Sequence, residues 1–149
     1  GAIGVELTGL TQIVPIVDLT EVSEGSSLRQ DLQTSLSLGS ITTFEQKNNS
    51  GTIINTTGYF RIFGNAFVGS SGTTGESKIT ITDGTTTKSL WEVNNINTGV
   101  EGEVSYSYDF IVFLKAGDSV GAATNSIYVV LNGCTRQIAD IDGNLVNPI

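Results

Sequence analysis

Histidine is absent from this chain of 149 residues. Its absence removes the commonest acid–base group, the usual activator of a side-chain nucleophile and the usual zinc ligand. A single cysteine, Cys134, excludes an internal disulfide and a thiolate metal cluster. Basic side chains are scarce: 7 Lys and Arg stand against 15 Asp and Glu, a formal charge of −8. Such a chain does not wrap phosphates by counterion release, so nucleic acid is not expected as a partner. No apolar run approaches the roughly 18 residues of a membrane-spanning helix, so no membrane partner is expected either. Charged residues make up only 15% of the chain. With this much Val, Ile and Phe, that is too little charge for disorder.

What is present is neutral and polar: 19 Thr, 15 Ser and 11 Asn, beside 18 Gly. That is the composition of short strands joined by tight turns. The length suits one domain with one core.

Residues 1–40 differ from the rest. They contain no aromatic residue and carry one base, Arg29, against five acids. The stretch Thr8 to Val17 reads as a strand, and Pro15 confines it to an edge or an extended arm. Around Leu28, Leu32 and Leu36 the spacing is helical, but the same stretch also alternates as a strand would. We read residues 1–40 as an arm that needs another surface to pack on. Its anchoring residues are Leu10, Ile13, Val14, Pro15, Ile16 and Val17.

Residues 41–149 read as an all-β head with period 2 almost throughout. In Tyr59 to Val68, one face carries Phe60, Ile62, Gly64, Ala66 and Val68. In Val104 to Leu114 the even positions are all apolar or aromatic. Asp83-Gly84, Asn132-Gly133 and Asp142-Gly143 each signal a turn, the first two as hairpins. The second hairpin places Cys134 on the face of Val129, as a buried, inert thiol. Strands at this spacing without an amphipathic helix point to an antiparallel jelly-roll sandwich.

The second faces of the two long strands break the expected apolar–polar alternation. Tyr59, Phe63 and Phe67 occupy one, and Ile111 and Phe113 end the other. A small monomer has too little material to cover both, so a symmetric oligomer formed through these five residues is expected. A tucked strand end and a glycan-stacking platform are the other readings. Arg61 and Asp109 lie on the same faces, where an ion pair would fix register.

The run Gly58-Tyr59-Phe60-Arg61-Ile62-Phe63-Gly64, together with Leu114, Gly117, Asp118 and Val120 in an L-x-x-G-D-x-V pattern, resembles the globular head of the C1q/TNF superfamily. That resemblance implies a ten-stranded jelly roll that trimerises about an aromatic axis. The composition and the arm also resemble bacteriophage virion proteins. Together the resemblances imply a structural protein, a homotrimeric capsid decoration or cement protein at the virion surface. Its partner would be the major capsid protein or another virion protein. The alternative is the receptor- or glycan-binding head of a fibre or adhesin, with Trp91 and Tyr106 as the ligand face.

Other candidates give little chemistry. Asp140, Asp142 and Asn144 are spaced like the start of a calcium loop, but no closing glutamate follows. Glu101 and Glu103 flank a glycine in a loop, without sign of a cleft. No enzyme, metal or cofactor is expected.

Overall fold

Alternation of apolar and polar side chains produces eight strands. They are β1 (Ile41–Lys47), β2 (Ser50–Ile54), β3 (Gly58–Ser70), β4 (Gly75–Thr82), β5 (Thr87–Asn95), β6 (Gly102–Leu114), β7 (Ser119–Thr124) and β8 (Val129–Ala139). The computed structural model describes residues 29, 37–70, 72–96 and 102–146. The arm residues Leu10 to Val17, and the stretch 28–36 apart from Arg29, lie outside the described residues.

All described pairings are antiparallel. One sheet has the order β1-β8-β3-β6 and the other β2-β7-β4-β5. Only β4 and β5 follow one another within a sheet; every other connection changes sheet. This is the interleaved order of an eight-stranded jelly roll with two Greek keys. The all-β sandwich expected from the sequence is therefore present. Eight strands, not the ten implied by the C1q/TNF resemblance, occur among the described residues.

The core lies between the sheets. Phe60, Ile62, Ala66 and Val68 from β3 meet Tyr108, Val112 and Leu114 from β6 and Val129 and Leu131 from β8. The second sheet contributes Ile54, Ile79, Val120 and Ala122. Each fully buried Ile, Leu or Val contributes about 1.5–3 kcal/mol.

Turn chemistry closes the loops. Asp83 Oδ1 accepts hydrogen bonds from the Thr85 and Thr86 amides (2.8 and 2.7 Å), so the expected β4–β5 hairpin forms around a four-residue loop. Gly84 there has φ 94°. Asp118 Oδ2 accepts from the Lys115 amide at 3.1 Å, which makes the G-D of the sequence pattern a β6–β7 turn. The Asp142-Gly143 turn also forms, with the Gly143 amide donating to the Asp140 carbonyl at 3.0 Å.

The Asn132-Gly133 hairpin does not form. Both residues lie inside the continuous strand β8. Gly133 pairs with Gly64 of β3 on one side and Phe44 of β1 on the other. The physical reason for glycine here is close approach, not turning. A Cβ on Gly133 would strike the Tyr108 hydroxyl and stand 2.5 Å from the Phe63 carbonyl oxygen. The Tyr108 hydroxyl crosses this gap and donates to the Asn132 carbonyl at 2.8 Å. Burial pushes the Tyr108 pKa up, so the donor stays protonated. Without the hairpin, the parity of Cys134 is reversed. It is partly exposed on the outer face, opposite Phe63 and Thr43, and not beside Val129 in the core.

Candidate assembly surface

The outer face of the β1-β8-β3-β6 sheet is built by the register of β3 on β6. Tyr59 stands opposite Phe113, Arg61 opposite Ile111 and Phe63 opposite Asp109. All five side chains expected at a subunit interface therefore lie on one face. Tyr59 is 37% exposed, Phe67 45%, Phe113 42% and Ile111 61%, while Phe63 is partly covered. The Tyr59 and Phe113 rings sit 4.7 Å apart, tilted by 40°. Exposed apolar side chains gathered on one flat face mark an interaction surface more than scattered ones do.

Charge runs through this face. Arg61 Nε donates to Asp109 Oδ1 at 2.9 Å and Nη2 to Oδ2 at 2.7 Å. The guanidinium lies over the Phe63 ring, 4.3 Å from its centroid. The hydrogen bonds from Arg61 hold the Asp109 carboxyl below its ordinary range and raise the arginine in turn. On its other side, Arg61 is directly paired in register with Arg136 of β8. Arg136 Nε is buried without a hydrogen-bond partner among the described residues. Sequence reasoning missed Arg136, because the hairpin reading cut β8 in two. The signal available was the spacing Val129, Leu131, Gly133, Thr135, which puts Arg136 on the opposite face.

A depression of about 660 Å³ on this face is walled by Phe63, Thr43, Glu45 and Cys134. The outer face of the other sheet is unlike it. Thr52, Thr80, Ser119, Gly121 and Ala123 give it small polar and aliphatic groups, and Glu76, Lys78 and Glu92 make its β4-β5 part charged.

The remaining candidates are placed elsewhere. Trp91 packs against the core, its ring 4.9 Å from that of Tyr108, whereas Tyr106 is 48% exposed near one end of β6. Asp140 Oδ1 accepts from the amides of Asp142 (2.9 Å) and Asn144 (3.0 Å), so its carboxylate is engaged by the turn itself. Glu103 is exposed, and Glu101 lies outside the described residues. No group of three or more acidic or cysteine side chains suited to a metal ion occurs among the described residues.

The fold defines the class: an eight-stranded jelly-roll sandwich, distinguished by one aromatic and arginine-bearing outer face. Scans of protein-family models and of curated proteins give no match. Among solved structures, a crystal structure of a pentameric capsid protein isolated from metagenomic phage sequences is 40% identical, with a TM-score of 0.67. The alignment covers 95% of this chain and 88% of that one. A second crystal structure of a protein so described gives the same identity and TM-score over 94% and 86% of the two chains. The chain belongs to the family of this phage capsid protein.

Proposed function

We propose that the chain is a structural component of a phage capsid that assembles with copies of itself into a closed ring. The observation that carries this reading is the gathering of Tyr59, Phe63, Phe67, Ile111 and Phe113 on one outer sheet face. Kinship with a pentameric capsid protein supports five copies. The trimer expected from the sequence rested on the C1q/TNF resemblance, and the 40%-identical relative weighs more. Residues 1–40 would serve attachment within the shell or to it.

Ring closure constrains the contact. A cyclic interface is heterologous: each copy offers two different surfaces, turned relative to one another by the ring's rotation. One flat sheet face supplies only one of the two. The charge of −8 keeps free copies soluble.

Light scattering behind size exclusion tests the reading. A mass near five chains supports the ring of five, three chains restores the trimer, and a monomer at all concentrations opposes assembly through this face.

A further inference from the structure

The outer face of β1-β8-β3-β6 brings two arginines together, and only one of them has an acidic partner among the described residues. Arg61 and Arg136 are directly opposed in the β3–β8 register. Like charges directly opposite each other destabilise a sheet. Asp109 draws Arg61 toward β6, which leaves Arg136 with a buried Nε and no hydrogen-bond partner there. In a chain with 15 acids and 7 bases, two of the three arginines meet on the face that also exposes Tyr59, Ile111 and Phe113. A surface of this kind suits a segment that alternates aliphatic side chains with carboxylates.

The chain has one such segment outside the described residues. Ile13-Val14-Pro15-Ile16-Val17 is followed by Asp18, Leu19, Glu21, Val22 and Glu24. Residues 1–36 hold five acids and a single base. They precede Ser37, next to edge strand β1, whose Ile41 pairs with Arg136. The 12 residues 25–36 that link this segment to Ser37 reach roughly 40 Å when fully extended, beyond the roughly 15 Å width of a four-stranded sheet. Reach therefore does not restrict the segment to its own head.

Resting on the ring reading above, we infer that residues 13–24 of a neighbouring copy cover this face. Their aliphatic side chains pack on Tyr59, Ile111 and Phe113, and a carboxylate from Asp18 or Glu21 pairs with Arg136. This exchange supplies the second surface that ring closure requires. It also gives the apolar strand signal in the sequence of residues 13–17 a surface to pack on. With the aliphatic run at the Tyr59 end, Thr20 falls toward the depression beside Cys134.

Cys134, the only cysteine, provides the test. The full-length Thr20→Cys variant is treated with a mild oxidant, run on a non-reducing gel and weighed by light scattering. The expected result is disulfide-linked chains between copies in a particle of unchanged mass. Adding Arg136→Glu is expected to lower the linked fraction about tenfold, as for loss of one buried charged partner. Adding Asp18→Arg and Glu21→Arg to that variant is expected to restore it. A disulfide within one chain overturns the assignment to a neighbour. An intact oligomer without any disulfide overturns the docking but leaves the ring standing. A monomeric wild-type chain overturns the ring and the docking together.

Discussion

Arg61 and Asp109 are joined by two parallel hydrogen bonds that run diagonally between β3 and β6, with the guanidinium resting on Phe63. The side chains are 39% and 55% exposed, so the pair contributes little to folding. Its main consequence is geometric: it holds a planar cation flat across an aromatic face. Asp109→Asn is therefore expected to leave the melting temperature almost unchanged and to weaken self-association. Thermal melts paired with light scattering over a dilution series check both. A large loss of melting temperature would show that the pair belongs to folding instead.

On the proposed reading, folding and assembly draw on opposite faces of β3 and β6. Ile62 is fully buried, and Ile62→Ala is expected to cost about 2–5 kcal/mol through the cavity it leaves. Ile111→Ser, at a position 61% exposed, is expected to fold normally and to lose the oligomer. Denaturant melts and native mass separate the two outcomes. Equal stability losses would mean that Ile111 is part of the core.

Gly133 and Gly102 are both strand glycines, yet they differ in what surrounds them. A Cβ at Gly133 meets Tyr108 and the β3 backbone, and at Gly102 it meets nothing within 4 Å. Gly133→Ala is expected to cost about 1–3 kcal/mol as overpacking. Gly102→Ala is expected to be close to neutral. Urea midpoints of the two variants provide the comparison.

Tyr108→Phe removes the donor to the Asn132 carbonyl, the acceptor of a partly buried hydrogen bond. The expected cost is about 1 kcal/mol, rising if the carbonyl finds no water. Unlike Gly133→Ala, this change adds no atom. A shift in denaturant midpoint at constant slope is its signature.

The pH response follows from the carboxylates. The Thr86 and Thr85 amides lower the Asp83 carboxyl, Arg61 lowers that of Asp109, and the Asn144 amide leads the lowering of Asp140. A carboxyl depressed on folding contributes stability above its unfolded pKa and loses it as pH falls through the folded value. With no histidine, stability is expected to stay flat between about pH 8 and 5 and to fall only below the ordinary carboxylate range, about pH 4. A melting series across pH 3 to 8 checks this (range set by the carboxylate and histidine values). A step near pH 6.5, the ordinary histidine value, would contradict it.

The sandwich was legible because one apolar face recurs at every second position along most of the thirteen-residue strands β3 and β6. The same alternation exposed the five interface candidates on their unexpected faces. Legibility ended at β8. Asn132-Gly133 is a strong local turn signal, but the glycine answers to Tyr108, which packs above it from a distant strand. Nothing in the neighbouring residues records that contact. The broken strand then reversed Cys134 and hid Arg136, whose opposition to Arg61 depends on a register set across the whole sheet. Trp91 was ambiguous for a related reason. Its parity depends on the bulge in β5, where pairing shifts between Ile79 and Thr80.

The two outer faces contrast: one exposes aromatic and aliphatic side chains, the other small polar and charged ones. Threonine, serine, glycine and alanine on the β2-β7 part of the other sheet offer a neighbour little apolar area, and its β4-β5 part presents the charges of Glu76, Lys78 and Glu92. A building block with adhesion on both sides would stack into an open-ended column. One whose adhesive face takes a different part of its neighbour, as in the ring proposed above, stops growing when the ring closes. On the ring reading, this second face would act by withholding contact, so that ring closure and not stacking would set the size of the assembly.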